Sequence, residues 1–425
     1  MKRIHLILLA FLFSCLVACR ENEDTVIPEV VFHEPQANEN IMLPDTLYVD
    51  VTVTDDKNIN SISVNILNAD HIPVVTGQNY FPDMTEYQVK TSFVLDDKAM
   101  ESGTYQLQVI AFDGYNTKTS YLDLEITEIP RELLGFIAVT APQSFLSKIT
   151  RLTPEYDIDT QFTIQQACRM TAIHSLWERF LFVSDEPSVM MAYNTFSFEP
   201  EWQFDAVPPR PEITDLVTDA QILFATANAD AGILDIDGNG VMRTMAFANM
   251  VFTHLAADET CIYVSQQSVG AKNPELTVFY RVTGAVCARK MIADPIAGIV
   301  AMNGIALVFV GKDGGTDILR FNPENFILNK INELPGEEFV SLTKIDEENV
   351  LILTTQRAVN YNNYYDRFDE FTAEVYDFCR YVALSDVLYF VRGHSVFAYS
   401  HDTGALVNEM VFDDTIVDFQ ILYNK

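Results

Sequence analysis

The chain has 425 residues, more than one ordinary domain needs, and carries 27 basic against 60 acidic side chains for a formal net charge of −33. An excess of that size repels phosphate backbones, which argues against nucleic acid as a partner. Hydrophobic content of 48% and aromatic content of 12% place the chain among globular proteins, while only 17 glycines exclude collagen-like or glycine-rich low-complexity character.

In chain order, the first element is a leader. Lys2 and Arg3 precede an apolar run from Ile4 to Val17 that is too short to span a bilayer and has the form of a secretory signal. Its end, Leu16-Val17-Ala18-Cys19, resembles a bacterial lipobox. The resemblance implies cleavage after residue 18 and lipidation of Cys19, with the mature chain held at a membrane by acyl chains. Residues 19–27 then form an acidic tether. Within it, Arg20-Glu21-Asn22-Glu23-Asp24 resembles the export signal of Bacteroidota-type surface lipoproteins, which implies an outer-membrane location, cell surface or periplasmic face. Four cysteines remain in the body of the chain, Cys168, Cys261, Cys287 and Cys379. Their spacing fits no zinc pattern, and buried free thiols are expected.

Short apolar alternations bounded by Asn, Asp, Gly and Pro recur after the tether, and no helical period is sustained, so the fold is all-β. Residues 28–127 contain seven candidate strands, near Val30–His33, Leu47–Thr54, Ile59–Leu67, Ile72–Thr76, Tyr87–Leu95, Tyr105–Asp113 and Lys118–Thr127. Seven strands in about a hundred residues is the pattern of an Ig-like β-sandwich. The run Ser102 to Val109 followed by Ala111-Phe112-Asp113-Gly114 resembles the late strands of bacterial Ig-like and PKD-like modules, which implies a corner hydrogen bond from Tyr105. Asp55, Asp56 and Asp113 are read as turn and strand-end aspartates rather than calcium ligands.

Residues 128–134 break the alternation and serve as a linker. From there to residue 425 the chain repeats. Apolar four-residue strands begin at Phe136, Phe180, Ile222, Cys261, Leu307, Val350 and Leu388, at an average spacing of 42 residues. That period belongs to four-stranded propeller blades, and residues 135–425 are expected to form a seven-bladed β-propeller. A further apolar run precedes six of these strands: Met170–Ser175, Ile213–Val217, Val251–Leu255, Ile296–Ala301, Phe339–Thr343 and Val375–Val382. The first strand lacks such a run, whereas Thr415 to Leu422 at the chain end has one to offer, so the C-terminal strand is expected to close the ring. The turns Asp402-Thr403-Gly404 and Val282-Thr283-Gly284 resemble the outer hairpins of YVTN-type and quinoprotein-type propellers.

Chemistry-bearing motifs are sparse. Asp235-Ile236-Asp237-Gly238-Asn239-Gly240 opens like a calcium loop, but Ala246 stands where the bidentate Glu belongs, so a turn is expected and no metal. His174 and His254 fall on candidate innermost strands and are read as structural histidines. No nucleophile elbow or phosphate-cradling loop is present, and no catalytic residue or cofactor is assigned. One aromatic and amide cluster, Asn360 to Phe368, and a second ending at Trp202 are either packing between blades, which propellers fill with aromatics, or the candidates for ligand contact, through Tyr361, Asn363, Tyr364, Tyr365 and Trp202. Exposed aromatic faces stack on sugar rings or peptide side chains, and neighbouring amides add directional hydrogen bonds. Together these features lead to the expectation of a lipid-anchored envelope binding protein. The resemblance to Bacteroidota-type surface lipoproteins implies an accessory role in glycan or peptide capture beside an outer-membrane transporter. A propeller hydrolase or lyase with an axial active site, and a periplasmic assembly scaffold, are the alternative readings.

Overall fold

A computed structural model describes residues 25–425 apart from 207–211, 219–220, 229, 245–249, 269–273 and 303. The leader and Cys19 therefore lie outside the described residues. The chain divides between Pro130 and Arg131 into two compact units, each built from strands.

The first unit packs a three-stranded sheet (Glu29–Glu34, Asp45–Ile59, Met84–Leu95) onto a five-stranded one (Glu39–Met42, Thr117–Thr127, Gly103–Phe112, Ser61–Leu67, Gln78–Tyr80). Strict alternation makes the sandwich. Val49, Val51 and Val53 point inward from the first sheet, Ile62, Val64, Leu107 and Val109 from the second, and all belong to one core. Tyr105 is buried and its hydroxyl donates to the Glu101 carbonyl at 3.0 Å, the corner bond implied by the resemblance. Two strand assignments need correction. Ile72–Thr76 is not a strand: it meets the end of Ser61–Leu67 only through an isolated antiparallel bridge between Pro73 and Leu67, and Gln78–Tyr80 pairs with Ile62–Val64 instead. Glu39–Met42 was hidden by its polarity, since only Ile41 turns inward, and it pairs in parallel with Leu124–Thr127.

The second unit consists of four-stranded antiparallel sheets that follow one another along the chain, seven among the described residues. In the first, Leu133–Gln143, Leu146–Leu152 and Ile158–Ile164 are joined by Thr415–Tyr423, which pairs with Leu133–Gln143 and takes the inner position. The other six begin with Cys168–His174, Ile213–Thr218, Met250–Ala257, Ile296–Met302, Phe339–Lys344 and Phe378–Val382. These inner strands pack against one another in chain order, and Phe378–Val382 meets Thr415–Tyr423, so the contacts run full circle. The sheet order and this circle of contacts are those of a β-propeller. The apolar four-residue runs occupy the second strand of each sheet, buried on both faces, which is why they read as continuous hydrophobic stretches. In the seventh sheet the inner strand starts at Phe378, three residues later than the apolar run suggests.

Between sheets the core is a series of apolar clusters, such as Leu307, Phe309, Val350, Ile352 and Tyr361 between the fifth and sixth. The matched turns at 282–284 and 402–404 fold alike. Gly284 and Gly404 both adopt φ +66, and each amide donates four residues back, to Tyr280 and Ser400. A side chain is disfavoured in that left-handed conformation.

Candidate functional site

Two places in the second unit gather polar or aromatic groups: the ring of inner strands, and the rim of turns that join first to second and third to fourth strands.

Inner strands have one ladder edge without a strand partner, and their N–H groups need acceptors from elsewhere. Six of the seven carry a register shift near their start, which skips Arg169, Thr214, Thr253, Ala297, Val340 and Val417. The residues that follow are Met170, Asp215, His254, Gly298, Ser341 and Asp418, so two aspartates occupy one equivalent position. Each reaches the next sheet. Asp418 Oδ2 accepts from the Thr171 amide at 2.9 Å and its hydroxyl at 2.8 Å, and Asp215 Oδ2 accepts from the Leu255 amide at 2.6 Å. Their other oxygens accept from the amides of Phe419 and Leu216, each at 2.8 Å.

The two carboxylates differ in what surrounds them. Arg380 from the seventh sheet donates Nη2 to Asp418 Oδ1 at 2.8 Å, and Gln420 Nε2 donates to Oδ2 at 3.1 Å. Asp215 accepts from backbone amides and has no cation beside it among the described residues, and burial pushes its carboxyl up to about 7 against the pull of the Leu255 and Leu216 amides. Threonines add further joints: Thr218 Oγ1 donates to the Ile173 carbonyl and Thr343 Oγ1 to the Cys379 carbonyl, each at 2.8 Å. At the fifth sheet, Gly298 makes room instead, since a Cβ there would lie 2.7 Å from the Phe339 ring.

The histidines take structural places. His174 is buried, stacks on Trp177 with centroids 4.0 Å apart and accepts from the Trp177 amide at 3.3 Å. Burial lowers the basicity of His254. All four cysteines are free thiols in strands, and burial raises the thiols of Cys168 and Cys379. Asp235 closes its own turn, accepting from the amides of Asp237 and Asn239 at 3.0 and 2.8 Å. Asp113 does the same for Tyr115 and Asn116, both at 2.6 Å.

The structure separates the residues proposed for ligand contact. Tyr361 is fully buried, its ring 4.8 Å from that of Phe368 and its hydroxyl donating to Asp366 at 2.7 Å, so it presents no face to a ligand. Trp202 is half-buried as a strut between the second and third sheets: Nε1 donates to the Ile236 carbonyl at 2.8 Å, and the ring fills the space beside Gly238. Tyr364 and Tyr365, by contrast, are 73% and 72% exposed and meet edge to face, centroids 4.9 Å apart at 87°.

Their turn is braced on every side. The Asn363 amide donates to the Glu348 carbonyl at 2.8 Å, and Arg320 Nη2 donates to the Asn363 carbonyl and side-chain oxygens at 3.0 and 2.7 Å. The Tyr365 amide donates to Asn362 Oδ1 at 2.8 Å, and Asn332 Nδ2 to Asp366 at 3.1 Å. Tyr364 and Asn363 line a cleft of about 320 Å³ with Arg320, Asn322, Glu347 and Glu348. Glu347 also lines a neighbouring cleft of about 590 Å³, which contains Lys344 and the buried Arg281. Sequence reasoning found the tyrosines but missed Arg320, Asn322 and Glu348, which lie 16 to 45 residues away from them and share no local motif.

No family model matches the chain, and no curated protein matches it. Among solved structures it is similar to the WD40 domain of Neurospora crassa Pan2, at 10% identity over 69% of this chain and 85% of that one, TM-score 0.48. It is also similar to a quinoprotein alcohol dehydrogenase-like protein of Bacteroides thetaiotaomicron, at 13% identity over 94% of this chain and 99% of that one, TM-score 0.46. A third likeness is to BamB of Moraxella catarrhalis, at 11% identity over 67% of this chain and 92% of that one, TM-score 0.41. These likenesses carry no argument about activity, and the assignment of the second unit as a β-propeller rests on its own sheet order and circle of contacts.

Proposed function

We propose that the protein is a lipid-anchored envelope binding protein, in which Cys19 carries the lipid, residues 28–127 form an Ig-like spacer and a seven-bladed propeller is the binding platform. The observation that carries the platform reading is a division of labour in the second unit. The aspartates and threonines of the inner strands hold neighbouring sheets together, while a rigid turn holds two tyrosines in solvent beside a polar cleft. Large aromatic rings held out at a braced turn suit recognition better than packing. Capture of glycan or peptide beside an outer-membrane transporter is the role this reading suggests.

Two experiments test it. A glycan and peptide array probed with the mature chain is expected to give specific binding, and a blank array contradicts the platform. Cys19→Ala is expected to abolish incorporation of labelled palmitate and release the protein from membranes; retained label contradicts the anchor. An acid–base enzyme is the second reading, favoured by the carboxyl of Asp215 held near neutrality. Against it, both Asp215 oxygens are engaged by backbone amides, and the residue lines neither of the two clefts at the rim.

A further inference from the structure

We propose that Tyr364, Tyr365 and the adjoining cleft form a subsite for an uncharged pyranose unit of a glycan; this rests on the platform reading and gives it a ligand class.

The shape comes first. Edge-to-face tyrosines at 87° leave one ring face and one ring edge meeting at a corner, both in solvent. A pyranose offers the complement, a C–H face that stacks on an aromatic ring and a rim of hydroxyls that both donate and accept. Among the described residues neither tyrosine hydroxyl has a protein partner.

Hydrogen-bonding capacity comes next. In the cleft, Asn322 Oδ1 accepts from the Glu324 amide and Asn363 Oδ1 from Arg320, which leaves both side-chain NH2 groups to donate outward. The Glu348 side chain supplies a carboxylate that takes part in no ion pair within the described residues. Donors and an acceptor on one wall match vicinal hydroxyls.

Charge then narrows the class. Glu347 pairs with Lys344 at 2.5 Å, and Glu348 shares the cleft with Arg320. The lining holds Arg320 against Glu347 and Glu348, and Lys344 of the neighbouring cleft offsets Glu347, so no strong charge of either sign selects an acidic sugar or a basic peptide, and the net −33 of the chain repels the acidic sugar. Main-chain recognition of a peptide is also blocked here. The amides of Asn363 and Tyr365 already donate, to the Glu348 carbonyl and Asn362 Oδ1, so the turn offers no edge to an added strand.

The test titrates the full mature chain with methyl glucoside, methyl galactoside, methyl mannoside and their disaccharides, alongside glucuronate and tri-lysine, with saturation-transfer NMR as readout. At least one uncharged pyranoside is expected to bind. Tyr364→Ala and Tyr365→Ala are each expected to weaken it by about tenfold or more with an unchanged thermal midpoint, and Tyr364→Phe to retain it. Pyranoside binding that ignores the tyrosines overturns the subsite and leaves the platform standing. Binding of glucuronate or tri-lysine through the tyrosines overturns the ligand class alone. If no pyranoside binds while the array is positive, the subsite fails; if the array is blank too, the platform fails with it.

Discussion

Asp215 and Asp418 show how one residue type at one register position acquires two characters. Both satisfy an inner-edge amide of the next sheet, but Asp418 also has the Arg380 guanidinium, whereas among the described residues Asp215 meets only amides. For Asp215 the folded pKa of about 7 lies above the ordinary 3.8, so the folded state holds the proton more tightly. Its ionisation therefore costs stability as pH rises from about 4 to 7, and the cost is constant above that. Asp215→Asn keeps one acceptor for Leu255 and removes the ionisation. The midpoint of the variant, relative to the natural chain, is expected to rise across that pH window and level off beyond it; a pH-independent difference contradicts the assignment. Neither aspartate stood out in the sequence, because with 60 acidic residues an isolated Asp in an apolar strand carries no label. The same holds in reverse for Tyr361. Adjacent tyrosines at 361, 364 and 365 look alike in composition, and strand alternation followed by a turn decides that the first is core and the others are not.

At the scale of elements, the closing strand matters most. Thr415–Tyr423 is far in sequence from its partner Leu133–Gln143, and it supplies Phe419, fully buried and stacked on Phe136 at 5.4 Å. Removing that ring leaves a cavity at the joint between the first and seventh sheets. Phe419→Ala is expected to cost about 3–5 kcal/mol, read as a lower denaturation midpoint for the whole second unit. A loss confined to the first sheet, with the rest unfolding at its old midpoint, contradicts closure through this strand. The closure was legible beforehand because an unmatched apolar run at the C-terminus complemented a missing one at the start of the repeat. The strand Glu39–Met42 was not, since one inward side chain gives no periodicity to read.

At the scale of the molecule, length and period carried the architecture: a sandwich of about a hundred residues followed by repeats averaging 42. The period works because each sheet must bury its second strand on both faces, which imprints an apolar run once per repeat. The cleft proposed for recognition left a weaker trace. The cleft beside Tyr364 is assembled from turns and strands of the fifth and sixth sheets, and only the folded chain brings Arg320, Asn322 and Glu348 to it.

We propose a division of labour in which the inner ring is structural and the rim of turns recognises the ligand. Its most direct test is the affinity of folded Asp418→Asn for the pyranoside that the natural chain binds, measured below the midpoint of the variant. An unchanged affinity and a lowered midpoint are expected, as the joint to Arg380 and Thr171 weakens by about 1–3 kcal/mol. Lost affinity at an unchanged midpoint contradicts this division of labour and returns the function to the axis of the propeller.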